Sequence, residues 1–119
     1  MKTKKNNQRE TEVKLSIYKA MELDLPNDFQ EALEVLRKQT PIVRYVRMAA
    51  IFGERFLEAK EMRPNDESLD KIYKLSVSST GDNLRNYIIT GNLIGFKQVV
   101  EKVEEQLIKV FEPSAAVSK

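Results

Sequence analysis

The chain has no cysteine and no histidine, and these two absences remove more chemistry than any motif in it supplies. Without cysteine there is no disulfide framework, no thiolate nucleophile and no Cys-ligated zinc. Without histidine the commonest general base, the commonest transition-metal ligand and the usual switch near neutral pH are gone. Serine and carboxylate chemistry are all that is left to an enzyme. The expectation is therefore a non-catalytic protein with no catalytic residues, no metal and no cofactor.

Glycine and proline number four each, too few for the many tight turns of a sandwich or barrel. No apolar run approaches the about 18 residues that announce a membrane-spanning helix, and the opening MKTKKNNQRETE lacks the apolar centre of a secretory signal. A cytoplasmic protein without membrane contact is expected. Charge of one sign is also in short supply: 20 basic residues against 18 acidic leave a net +2, well short of a nucleic-acid coat.

What is present suits a helical globule. At 119 residues, 41% hydrophobic and 32% charged, the chain can bury one modest core and is too apolar to stay unfolded. Met1 to Arg9 carries four positive and no negative side chains and reads as a flexible basic arm. From Glu10 an apolar stripe through Val13, Ile17, Ala20 and Met21 predicts a first helix over about 8–23. Pro26 suits the first position of a second helix, with Asp28 and Glu31 in its first turn and Phe29, Ala32, Leu33 and Leu36 on its buried face.

Thr40 before Pro41 signals a third start. That helix, to about Met62, has two apolar stripes side by side, Ile42, Tyr45, Ala49, Phe52, Phe56 and Val43, Val46, Ala50, Leu57, and so belongs at the centre of the fold. Pro64 ends it. Asn65 or Asp66 then caps a fourth helix to about Ser78. The expected architecture is all-α: one compact bundle of about five helices in 10–111, with a long C-terminal helix and a disordered tail over 112–119.

The stretch SSTGDNLRNYIITGNLIGF invites a phosphate-loop reading, but the residues refuse it. The Walker spacing ends in Lys followed by Ser or Thr, and Gly91, Gly95, Phe96 and Lys97 break it; the dinucleotide pattern G-x-G-x-x-G is not present either. Punctuation accounts for the residues: Gly81 closes helix four, Asp82 caps a short helix LRNYII, and Gly91 with Asn92 repeats the device.

Two constellations carry functional expectations. In LIGFKQVVEKVEEQLIKVF, the residues Leu93, Phe96, Val100, Val103, Leu107 and Val110 follow alternating steps of three and four, the spacing of a coiled-coil seam. Such a seam must be covered. The leading expectation is a subunit or adaptor that assembles with itself or with a protein partner through this helix. The alternative is a nucleic-acid-binding module that grips phosphates with Lys2, Lys4, Lys5 and Arg9 on the arm and Arg44, Arg47 and Arg55 on one side of helix three. Arg85, Asn86 and Tyr87 are weaker candidates for base contacts. Glu101, Glu104 and Glu105 lie within two turns, on a face expected to be wet.

Overall fold

The computed structural model describes residues 4–111, and side chains over 7–109. The arm contact assigned to Lys2 and the tail over 112–119 lie outside them. Six α-helices follow in order, α1 (Lys4–Glu22), α2 (Phe29–Arg37), α3 (Pro41–Met62), α4 (Glu67–Ile72), α5 (Thr80–Thr90) and α6 (Leu93–Phe111), with a π-helical turn (Tyr73–Ser78) between α4 and α5. No strand occurs among the described residues. The fold is all-α, as composition and periodicity predict.

Helix α3 is the axis of the bundle. Its Ile42, Val43, Tyr45, Met48, Ala49 and Phe52 are buried, and α1, α2, α5, α6 and the π-turn pack around it. From α6, Phe96, Val100, Val103 and Leu107 enter the same core, 5%, 1%, 0% and 0% exposed. The seam that called for a cover is thus covered from within the chain. Tyr45 and Phe96 meet edge to face with centroids 5.3 Å apart, a favoured quadrupole arrangement.

Local signals set most helix ends. The Asp28 carboxylate accepts the Glu31 N–H at 3.0 Å and Asp66 accepts that of Ser68 at 2.9 Å, each satisfying a donor the first turn leaves open. Pro26 stands outside α2, because Asp28, expected in the first turn, is itself the cap. At Gly91 the backbone is left-handed, φ 68°, and ends α5 as glycine does best.

Three further features differ from the sequence expectation. Helix α1 begins at Lys4, so Lys4, Lys5 and Arg9 ride on a helix and not on a flexible arm. The physical reason is Arg9, whose Nε donates to the Ile88 carbonyl at 2.7 Å and Nη2 to that of Ile89 at 3.3 Å, a cation on the negative end of α5. In the second half of α3, Leu57 is 76% exposed, so the second apolar stripe stops short of the helix end.

The third difference is at Gly81 and Asp82, which lie in the first turn of α5 and do not divide two helices. The break comes earlier and is made without glycine. In the π-turn the i to i−4 ladder is interrupted, and its carbonyls find other donors. Tyr45 Oη shares its proton between the carbonyls of Leu75 (3.0 Å) and Ser76 (3.2 Å) while accepting from Asn83 Nδ2 at 2.8 Å. Ser79 Oγ donates to Lys74 O at 2.6 Å, buried Ser76 Oγ to Ile72 O at 2.6 Å, and Thr80 Oγ1 to Ser76 O.

Burial holds the Tyr45 hydroxyl above its ordinary value of 10.0, with the Asn83 and Thr80 hydrogen bonds opposing. A raised folded-state value contributes stability that is complete below about pH 10 and is lost as pH rises through it. We expect the urea midpoint to fall above about pH 10, and Tyr45→Phe to lose less than wild type across that range, though weaker at neutral pH for lack of the hydroxyl. A second expectation concerns the seam. Leu107→Ala should cost about 2–5 kcal/mol in urea unfolding, and Val103→Asp should abolish the far-ultraviolet helix signal.

Candidate functional site

The residues the sequence singled out do not form one site. Of the seam, Phe96, Val100, Val103 and Leu107 are core residues; Leu93 is 37% exposed, and the side chain of Val110 lies outside those described. A partner meeting α6 would find Leu93 and its neighbour Ile94, not the seam. The regular spacing is real, and its cause is α3.

The arginines are likewise spoken for. Arg44 Nη2 lies 2.5 Å from Glu104 Oε1, and Arg37 Nε and Nη2 each lie 2.9 Å from Glu104 Oε2. The Glu104 side chain is only 12% exposed and that of Arg44 19%, so this is a largely buried clasp joining α2, α3 and α6 (Leu93–Phe111). The expectation of a wet Glu104 is corrected: it projects beside the seam toward α3, whereas Glu101 and Glu105 are exposed. Arg55 pairs with Glu58 at 3.4 Å on the surface. Arg47 is half-buried, its Nε without a hydrogen-bond partner among the described residues, as is Nε of Arg44.

The alternative nucleic-acid set is therefore scattered. Arg9 caps α5, Arg44 is neutralised by Glu104, Arg47 lies toward α1, and the side chains of Lys4 and Lys5 are outside those described. No sequence signal marks the Arg37–Glu104–Arg44 clasp beyond one: a glutamate directly after Val103 and three before Leu107, at the margin of the most buried stripe.

What the described surface offers instead includes concavities between the helices. A groove of about 300 Å³ runs between α1 and α3, with Ala20, Val46 and Ala50 along it and Met21, Arg47 and Glu54 at its margins. Beside it on α1 stand Leu15, Tyr18 and Met21, 63%, 65% and 76% exposed. A cleft of about 170 Å³ lies between α5 and α6, lined by asparagines over Tyr87 and Phe96, and another of about 210 Å³ lies between α4 and α6. Asn86 and Tyr87 share the first cleft; Arg85 turns to Asp82, 3.0 Å away. The Tyr87 hydroxyl donates to Glu12 at 2.8 Å and is raised above 10.0 by burial first, then by Glu12, with the Arg9 charge opposing.

Among the described residues no group of three or more acidic side chains is placed to hold a metal ion, and no helix is long and apolar enough to cross a membrane. Compared with protein-family models, curated proteins and solved structures, the chain finds no match in any of the three. Its surfaces must be read from their own geometry.

Removing one member of a buried ion pair strands the other. Glu104→Ala should therefore destabilise by about 3 kcal/mol in urea unfolding, mostly through Arg44, since half-exposed Arg37 is well solvated. The double variant Arg44→Met with Glu104→Met should recover most of that loss. A cost below about 0.5 kcal/mol for Glu104→Ala would mean the clasp is only a surface pair.

Proposed function

We propose that the chain is a small non-catalytic helical subunit or adaptor that assembles with itself or with a protein partner. The supporting observation is the exposed apolar stripe Leu15, Tyr18 and Met21 beside the α1–α3 groove. Steps of three carry these side chains along one face of α1, turned away from buried Val13 and Ala20. Large apolar side chains held out in one row are what a contact surface uses.

The chemistry of the patch fits a helix-in-groove contact. Small residues, Ala20 and Ala50, leave room for an approaching side chain, while Tyr18 and Met21 supply large apolar anchors of the kind that dominate binding energy. Arg47 and Glu54 at the margins give orientation more than affinity. In this reading assembly uses the α1–α3 face, with α6 contributing at most its first turn, Leu93 and Ile94, near exposed Ile89.

Sedimentation velocity across a wide concentration range tests the proposal. Association is expected to weaken at least tenfold on Tyr18→Glu with helix content unchanged, because the side chain is outside the core. A chain that stays monomeric at every concentration would remove self-assembly. Native complexes unaffected by Tyr18→Glu would remove the partner as well.

A further inference from the structure

The two smaller clefts are separate cavities, but they open on the same face of one helix. On α6, Gly95 and Val99 line the first, Lys102 and Gln106 the second, with Asn92 just before the helix. These five positions step by three and four, so they form one stripe, running about 16 Å from Gly95 to Gln106 at the helical rise. Across the stripe stand α5, then the π-turn and α4. Leu75 lines the second cleft, and its carbonyl is 3.4 Å from Nδ2 of Asn83, which lines the first. The two linings meet at this contact, so the clefts are taken together as one groove.

The lining has a single sign of charge. Lys71 and Lys102 are exposed in the second cleft, neither is ion-paired among the described residues, and no acidic residue lines either cleft. Glu101 and Glu105 are exposed on α6 and line neither cleft, and Glu104 is turned to Arg37 and Arg44. At the other end the groups are amides. Among the described residues Asn83 spends Nδ2 on Tyr45 and Leu75, leaving Oδ1; Asn92 spends Oδ1 on the Gly95 N–H at 3.0 Å, leaving Nδ2; Asn86 makes no side-chain bond. A Cβ at Gly95 would come within 3.2 Å of Asn92 Nδ2, so glycine keeps this amide clear.

We propose that this groove binds a single-stranded nucleic acid, with Lys71 and Lys102 on backbone phosphates and Asn83, Asn86 and Asn92 on the edges of an unstacked base. Lysines in a groove supply salt-dependent backbone affinity. Amides that present both donors and acceptors match base edges, and do so where bases are splayed out of a helix. This surface is distinct from the α1–α3 face, so the proposal stands or falls independently of assembly.

The test is fluorescence anisotropy with labelled single-stranded RNA and DNA of about 20 nucleotides and the corresponding duplex, at several salt concentrations, on the full chain. Single strands are expected to bind and duplex to bind at least tenfold more weakly. The double variant Lys71→Gln, Lys102→Gln should weaken binding at least tenfold and reduce the salt slope by about 1.4, at about 0.7 per phosphate contact. Asn86→Ala should weaken binding with the slope unchanged.

Circular dichroism checks that the variants fold; both lysines and Asn86 are exposed. No binding at low salt, preference for duplex, equal competition by polyglutamate, or loss of binding on Lys4→Gln with Lys5→Gln but not on the groove variant would each overturn the proposal.

Discussion

Everything in this fold depends on the packing of α6 against α3. Both helices are amphipathic, and neither hides its apolar face alone. Phe96, Val100, Val103 and Leu107 fill the space beside Ile42, Tyr45, Met48 and Phe52, all of them 5% exposed or less. At about 1.5–3 kcal/mol for each large side chain fully buried, this one interface supplies a large share of what opposes chain entropy. The remaining helices are arranged by what it leaves open.

Two polar devices fix the arrangement. The Arg37–Glu104–Arg44 clasp ties three helices at one margin of the interface, a geometry that apolar packing alone does not specify. Tyr45, at the other, reaches through the core to the carbonyls of the π-turn. A π-turn left without donors would bury unsatisfied carbonyls, so Tyr45, Asn83, Thr80 and Ser79 make possible an interruption between α4 and α5 that no glycine or proline provides. The same hydrogen bonds hold Asn83 at the edge of the α5–α6 cleft, so a folding device and a candidate binding surface share a residue.

The legible parts of the sequence were those governed by short-range physics. Pro41 marks a helix start by its place in the first turn, Asp66 by a side-chain cap and Gly91 a helix end by its positive φ, and the stripes of α3 and α6 give their buried faces. The unread parts depend on residues far away in the chain. Gly81 resembles a helix stop, but the stop is set by Tyr45, more than thirty residues earlier. Arg9 resembles part of a loose basic arm until the carbonyls of Ile88 and Ile89 are seen to hold it. The three-four spacing of α6 says that a seam is covered and is silent on whether the cover is the same chain. Likewise Arg44 and Arg47 share a side of α3, but periodicity cannot say that a glutamate on α6 will meet one of them. The groove residues were only partly visible: Asn86 and Tyr87 stood out by type, whereas Lys71 and Lys102 are brought into one groove by tertiary packing.

Once the seam is assigned to the core, both functional proposals rest on what lies outside it: the apolar face of α1 with its groove, and the basic, amide-lined face of α6. The two are separate surfaces, which suits a subunit that joins one kind of partner while holding another. The central claim is that α6 belongs to the monomer's core, and native-state hydrogen exchange tests it most directly. Amides from Phe96 to Leu107 should exchange only through global unfolding, with the same denaturant dependence as those from Tyr45 to Phe52 and at a rate independent of protein concentration. Exchange of α6 at a markedly lower free energy than α3, with protection that rises with protein concentration, would contradict it and return the seam to a partner.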